Sequence, residues 1–244
     1  MNGNRRDVLI IGAGILGCFA ARSLSRYKLD IAVLEKREDV CCEITRANTG
    51  IIYQGYDQHP GSLKAEMCKA ASLAFPSLCL ELDVHYRKTG LLMLSFGPRA
   101  DKVLEKKLIN GNKNGIYDIS ILDADEVYEK EPSLCRGVCH ALYSENTYVV
   151  NPWELAIAAY ENAAANGVQF VFNEEVTAVR REPGGFCISG SGSEWHAKRL
   201  LCCGGFNSDT LWDMANCPKV RLIPQEADYL VFDSSCGGVI SHVL

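Results

Sequence analysis

Val8-Leu9-Ile10-Ile11-Gly12-Ala13-Gly14-Ile15-Leu16-Gly17 opens the first apolar block of the chain, and Ile31-Ala32-Val33-Leu34-Glu35 closes it. The order is apolar strand, glycine turn, helix, second apolar strand, acid. Each part has a physical use when the ligand is a dinucleotide. Gly12 permits a tight turn off the strand. Gly14 lacks a Cβ and lets the backbone approach a pyrophosphate, and Gly17 lets the helix pack close to the sheet. The first amides of a helix have no intrahelical partner, and its dipole is positive there, so main chain can hold phosphate. Ala13 and Ile15 belong to the same turn. Glu35 follows Gly12 by 23 residues. A carboxylate at that place can accept hydrogen bonds from ribose hydroxyls and repels a 2′-phosphate. The helix is expected to turn Ala20, Ala21 and Leu24 inward. The block reads as an FAD or NAD site.

The 244 residues are 48% hydrophobic, enough for a sizeable core and for one or two domains. Net charge is −5, and the basic residues cluster no further than Lys106-Lys107 and Arg180-Arg181. Nucleic acid is therefore not an expected partner, because phosphate-backbone binding needs clustered positive charge. The twelve cysteines include the adjacent pairs Cys41-Cys42 and Cys202-Cys203 and contain no C-x-x-C. They read as free thiols of a reducing compartment. Cys135, Cys139 and His140 do not have zinc spacing, and no metal is expected. Arg5-Arg6 before an apolar run resembles a signal peptide, but Asp7, the fingerprint glycines and the lack of a cleavage site argue against one. No segment has the length of a membrane span, so the expected location is cytoplasmic.

The rest of the chain divides by pattern. Residues 37–58 form a polar, glycine-rich connection, and a loop this long inside a domain is usually functional. A helix is expected over about 63–82, kinked at Pro76. Residues 84–148 alternate short strands with a polar helix over 100–114 and a short helix from Asp123. Asn151-Pro152 reads as a cap and first turn of a helix that ends at Gly167. Strands then follow at 168–172 and 175–179, a hairpin turn at Gly184-Gly185, and a buried strand, Arg199 to Cys203, running into Gly204-Gly205.

The nucleotide block, the Asn151–Val176 stretch and Leu201-Cys202-Cys203-Gly204-Gly205 together resemble the D-amino-acid-oxidase-like superfamily of FAD-dependent oxidoreductases. Within it the chain is similar to the bacterial glycerol-3-phosphate dehydrogenase and L-2-hydroxyglutarate dehydrogenase group. The narrower likeness rests on Leu29 to Lys36, on Thr45-Arg46-Ala47-Asn48-Thr49-Gly50-Ile51-Ile52, and on Gly55-Tyr56-Asp57 with Pro60 to Ala65. It extends from Asp7 to Leu244. The resemblance implies an α/β fold, a Rossmann-like FAD-binding domain with a mixed-sheet substrate domain inserted. The boundaries drawn are FAD-binding 1–83 and 149–216, and substrate 84–148 and 217–244. A mostly parallel sheet would carry helices on both faces. The implied chemistry is oxidation of a small anionic hydroxy compound by hydride transfer to FAD, with glycerol 3-phosphate first and L-2-hydroxyglutarate second. The electron acceptor, a partner protein or quinone, is not identified.

The resemblance also assigns positions. Gly12, Ala13, Gly14, Ile15 and Gly17 would form the pyrophosphate turn, and Glu35 would bind the adenosine ribose with Lys36 beside it. Thr45, Asn48, Thr49 and Gly50 would line the flavin and its phosphates. Val176 would present backbone to the adenine, and Cys203 and Gly204 would lie under the dinucleotide. Thr45 also reads as a helix cap, Asn48 as a turn residue and Val176 as core. Tyr53 stands where the group carries a histidine facing the flavin. With a reference pKa of about 10 it is a poor base, so it would orient substrate or wall the ring. Gln225 and Glu226 replace basic residues that the group has after a proline, leaving Arg87 and Lys88 as anion contacts. Members of the group run well past residue 244. The sequence is thus expected to encode the adenosine-pyrophosphate half of a flavin site and part of the catalytic half, with weak or no turnover alone. A non-catalytic remnant and an NAD-dependent dehydrogenase remain the alternatives.

Overall fold

The structure, a computed structural model, describes residues 4–244. β1 (Arg5–Ile11) passes through the glycine turn into α1 (Ile15–Leu24) and β2 (Ile31–Leu34). The middle of the chain contributes β3 (Ile51–Ile52), α2 (Leu63–Leu82), β4 (Tyr86–Lys88), β5 (Leu91–Ser95) and α3 (Pro98–Lys113). It continues with β6 (Ile119–Asp123), α4 (Ala124–Lys130), β7 (His140–Ser144) and β8 (Tyr148–Val150). Then come α5 (Pro152–Ala165), β9 (Gln169–Val171), β10 (Val176–Glu182), β11 (Gly185–Gly190), β12 (Glu194–Cys202) and α6 (Ser208–Met214).

The chain forms two compact units. The first holds the chain up to Thr49, Leu82–Val84 and Asn151–Ala227; the second holds Gly50–Glu81, His85–Val150 and Asp228–Leu244. Residues 50–81, assigned from the sequence to the nucleotide domain, therefore belong to the other unit. The reason is pairing: β3 joins β8 in an antiparallel ladder, and Tyr56 is buried with Leu91, Leu104, Ile116, Ile119 and Leu142.

The first unit is a six-stranded sheet in the order β10-β11-β12-β1-β2-β9. The four strands β12, β1, β2 and β9 are parallel, and β10 to β12 form an antiparallel meander. β1 and β2 are buried on both faces, so they read as continuous apolar runs. One face is covered by α1 and α5 through small side chains: Cys18, Ala21, Ala156, Ala159 and Ala163 are fully buried in one cluster with Ile10 and Val33. α5 starts where its sequence says it should. The Asn151 carboxamide oxygen accepts from the amides of Trp153 (3.0 Å) and Glu154 (3.3 Å), and Pro152 takes the first position. Such a cap is worth about 1 kcal/mol.

The second face departs from the expected helix layer. Leu9, Ile11, Ala32 and Leu34 meet Val179, Ile188, Trp195 and Ala197 of the meander, with Leu211 and Ala215 at and just after α6. A curled meander buries this face because its strands alternate: Ile188 and Trp195 point in while Cys187 and His196 point to the other side.

The second unit consists of two antiparallel three-stranded sheets, β3-β8-β4 and β5-β7-β6. α2 runs unbroken through Pro76. α4 begins in a capping box between Asp123 and Glu126. Its interior holds a polar network. The Ser144 hydroxyl donates to the Gln54 carboxamide oxygen at 2.6 Å and lies 3.1 Å from the Thr147 hydroxyl, and Gln54 Nε2 donates to Asp118 at 2.6 Å. Asn146 also donates to Asp118. Near the C-terminus, Glu131 accepts from the amides of Ser241 and His242 (2.7 Å each) and faces His242 Nδ1 at 2.6 Å. Val243 then forms a parallel bridge to Leu91. Residues 218–233 carry no helix or strand, and Leu230, Val231 and Phe232 are 85%, 94% and 77% exposed.

Candidate functional site

The parallel strands of the first unit end in register: Ile11 stands beside Cys202 and Leu34, and Leu34 beside Val171. Beyond these carboxyl ends lies a cleft of about 320 Å³. This is where open α/β sheets bind ligands, because the connections after β1 and after its neighbour β12 pass to opposite faces of the sheet. The cleft is lined by Gly12, Gly14, Glu35, Lys36, Thr45, Val176, Cys203 and Gly204 among others. These are eight of the fifteen positions singled out from the sequence. Glu174, Glu175, Ile44, Phe206 and Leu211 complete much of the wall.

The three fingerprint glycines have different physical reasons. At Gly12 φ is +100°, and an added Cβ would lie 2.4 Å from the carbonyl oxygen of Cys203. At Gly17 it would lie 1.9 Å from the carbonyl oxygen of Gly12. Both are places where backbone meets backbone. At Gly14 the only near neighbour is the Thr45 hydroxyl at 3.3 Å, so this glycine keeps the cleft open rather than the fold closed.

Two amides of the turn are already engaged. The Ala13 amide donates to Glu35 Oε2 at 2.7 Å, and the Ile15 amide donates to the Thr45 hydroxyl at 3.0 Å. Ala13 and Ile15 thus tie the turn to the end of β2 and to the loop that follows it. Gly14 caps α1 without a side-chain partner of its own, and Thr45 supplies the missing acceptor from thirty residues away. The first intrahelical bond runs from the Cys18 amide to the Gly14 carbonyl. Leu16, in the first turn of α1, is 72% exposed.

Glu35 is buried at 8% exposure. Its other oxygen accepts from the Arg37 amide at 2.9 Å. Each carboxylate oxygen has two acceptor sites, so one on each remains after these bonds. Main-chain bonds fix the wall behind it: the Glu35 amide donates to the Val171 carbonyl, and the Glu174 amide to the Glu35 carbonyl, each at 2.9 Å. Lys36 pairs with Glu43 at 3.3 Å, and Glu43 also pairs with Arg37 at 2.7 Å, which ties the loop after β2 to the strand end. The Arg37 guanidinium beside Glu43 holds that carboxyl below its ordinary value.

Asn48 donates to the Thr45 carbonyl at 2.6 Å, a turn-closing bond, and both Asn48 and Thr49 are exposed. Gly50 and Tyr53 belong to the second unit. There Gly50 accepts from the Val150 amide at 3.0 Å with φ at +65°. Tyr53 is 45% exposed. Partial burial, then the negative charge of Asp57, raises its phenol above the ordinary value. That direction disfavours Tyr53 as a base. Lys88 is paired with Glu145 at 2.6 Å, while Arg87, also on β4, is exposed.

Cysteines crowd the underside of the turn. Cys18 and Cys41 lie 3.4 and 3.8 Å from the same carbonyl oxygen, that of Ala13. The hydrogen bond with Cys41 and then burial hold the Cys18 thiol far above its ordinary value. Burial pushes Cys203 up to about 11. Both are protonated thiols at neutral pH, acting as small apolar packing.

The residue that sequence reasoning missed is Glu174. It is 7% exposed, and one of its oxygens accepts from the amides of Gly192 and Ser193 and from the Ser193 hydroxyl at 3.0–3.4 Å. It fixes the start of β10, where Val176 lines the cleft. The Glu174-Glu175 pair, one residue beyond the run that ends at Phe172, was the available signal.

A family model described as FAD dependent oxidoreductase, DAO, matches residues 7–241. A glycerol 3-phosphate dehydrogenase of Caloramator mitchellensis is 35% identical over 238 residues, covering 98% of this chain and 50% of that protein. The mitochondrial L-2-hydroxyglutarate dehydrogenase of Homo sapiens is 28% identical over 244 residues, covering 92% and 51%. Among solved structures, the dithionite-reduced L-alpha-glycerophosphate oxidase of Mycoplasma pneumoniae with FAD bound superposes with a TM-score of 0.83 at 27% identity, over 87% of this chain and 57% of that one. The chain spans about half the length of the curated relatives it matches. Among the described residues, no helix is long and apolar enough to cross a membrane. The glycine turn, the buried acid behind it and the whole-length match lead to one conclusion: the chain belongs to the DAO family of FAD-dependent oxidoreductases.

Proposed function

We propose that the cleft of the first unit holds the adenosine diphosphate half of FAD, and that the protein oxidises a small hydroxy compound, glycerol 3-phosphate. What supports the cofactor reading is the convergence of the glycine turn, Glu35, Thr45, Val176 and Cys203-Gly204 on one cleft. The amides of Gly14 and Leu16, at the positive end of α1, meet the diphosphate. Glu35 receives the ribose hydroxyls on the acceptor sites that Ala13 and Arg37 leave open. Because this acid is buried and already charge-compensated by amides, a ribose phosphate would add an unpaired anion beside it. Lys36 lies at the ribose edge, and the Val176 backbone faces the adenine, positioned by Glu174. Thr45, Asn48 and Thr49 continue the wall toward the flavin, with Cys203 and Gly204 beneath.

Bound FAD supplies the hydride acceptor. Tyr53 donates its phenolic hydrogen to a substrate oxygen and orients it, since its raised phenol disfavours proton removal. The substrate reading rests on the 35% identity to a glycerol 3-phosphate dehydrogenase, against 27–30% to the L-2-hydroxyglutarate dehydrogenases.

Purified protein should carry flavin absorbance that denaturation releases, and protein stripped of flavin should take up FAD again. Gly14→Val fills the one fingerprint glycine that faces the cleft rather than packed backbone and should abolish uptake while the fold persists; unchanged uptake would overturn the assignment of the cleft. Glycerol 3-phosphate should reduce a dye, or perturb the bound-flavin spectrum where turnover is slow, more strongly than L-2-hydroxyglutarate. The reverse ranking would transfer the assignment to the hydroxy acid.

A further inference from the structure

On the meander of the first unit, Glu182, Cys187 and His196 bring one carboxylate oxygen, one sulfur and one ring nitrogen within 4.8 Å of one another. None of the three lines the nucleotide cleft. We propose that these residues form a site for a divalent transition metal of the zinc class.

The register builds the cluster. Cys187 on β11 stands directly opposite His196 on β12 and opposite Arg180 on β10, so the three side chains share one face. Glu182 lies on that same face, two residues beyond Arg180. Its cross-strand partner is Gly185. With no side chain there, Glu182 reaches His196, its Oε1 lying 2.9 Å from Nδ1. Gly185 has no room for one: an added Cβ would fall 2.1 Å from the Ala197 carbonyl oxygen.

The donor set selects the metal. Thiolate, imidazole and carboxylate together suit zinc or cobalt, while magnesium and calcium take oxygen ligands. Tetrahedral zinc, with bonds of about 2.0–2.3 Å, sets its ligand atoms about 3.3–3.7 Å apart. The three ligand atoms already lie within 4.8 Å of one another, close to that spacing. The imidazole is held at both ends: Nδ1 faces Glu182, and Nε2 faces a second carboxylate, Glu194, at 3.6 Å. A metal at one nitrogen with a carboxylate on the other is the arrangement that fixes the tautomer and ring of a ligating histidine.

Arg180 lies beside the sulfur. Its guanidinium is 3.4 Å from Cys187 Sγ and 3.3 Å from Glu194. On metal binding it gives up the sulfur and keeps the carboxylate. Cys187 is only 6% exposed. That burial excludes a role as nucleophile toward a bulky substrate but admits a bare ion, with the half-buried Glu182 and His196 as the way in.

Cobalt(II) titrated into the reduced, full-length protein under anaerobic conditions is the direct test. One equivalent should produce a thiolate-to-cobalt charge-transfer band in the near ultraviolet, and zinc should displace it. The band should vanish in Cys187→Ser. Glu182→Gln and His196→Asn should raise the apparent Kd at least about tenfold. Zinc should raise the melting temperature of the wild type and not of Glu182→Gln, whose flavin content should match the wild type because its cleft is intact. Absence of the band overturns the proposal, as does a band that persists in Cys187→Ser, which would place the thiolate elsewhere. Equal affinity in Glu182→Gln also overturns it, and leaves the cluster a salt-bridge network. Where Cys187→Ser fails to fold, the Glu182→Gln affinity decides alone.

Discussion

The two units solve the same problem, holding polar groups in a dry interior, by different means. The first does it with main chain. Its cleft is walled by amides and carbonyls at strand ends, by backbone packed on backbone at Gly12 and Gly17, and by one buried acid, Glu35. The second does it with side chains. Gln54, Ser144, Thr147, Asp118 and Asn146 satisfy one another beneath the loop that carries Tyr53. Main-chain sites tolerate no added atom at their contact points. Side-chain networks tolerate volume but not the loss of a partner.

That contrast can be broken from either side. The largest effect is expected at Gly17→Ala, where the new methyl group meets the Gly12 carbonyl oxygen at 1.9 Å. The cost should be about 3 kcal/mol or more, read as a lowered denaturation midpoint with loss of flavin. In the second unit, Gln54→Leu strands the Ser144 hydroxyl and weakens the hold on Asp118. It should cost about 1–3 kcal/mol with flavin content unchanged, and a parallel loss of flavin would erase the distinction between the units. Acid should separate them as well. Burial favours protonation of Glu131, but the hydrogen bonds from His242 and the Ser241 and His242 amides outweigh it and hold its pKa below the ordinary 4.5. Its contribution is therefore complete above that value and is lost as the pH falls through the lower folded value. Hydrogen exchange at Leu92, whose amide is bonded to Val243, should lose protection over that acid range. Glu131→Gln should show reduced protection already at neutral pH. The smallest effect on stability is expected for Gly14→Val, about 1 kcal/mol, although the same change should remove flavin.

What the sequence disclosed follows the same line. The glycine turn, Glu35 and the Asn151-Pro152 cap were legible because each acts through neighbours in the chain or through a fixed backbone geometry. The family likeness carried Thr45 and Cys203-Gly204 to the cleft across long separations. What could not be read was pairing. β3, β4 and β8 are two or three residues long, too short for a period, and their ladder is what moves residues 50–81 into the second unit. Glu174 reaches Gly192 and Ser193 only because β10 and β11 form a hairpin. Local reasoning gives a helix start free amide donors and does not show which of them the chain itself engages. Glu35 and Thr45 reach the Ala13 and Ile15 amides from 22 and 30 residues away. The Glu182, Cys187 and His196 cluster has no motif spacing, since strand register sets its intervals.

The stretch from Tyr229 to Phe232 carries a consequence for handling. Four consecutive bulky side chains of high sheet-forming tendency stand in water, with no proline among them. Such a run offers a template for edge-to-edge pairing between molecules. Colloidal behaviour at high concentration should therefore be governed by these four positions rather than by the net charge of −5. A single lysine in place of Val231, which is 94% exposed, should prolong monodispersity in light scattering without altering either core.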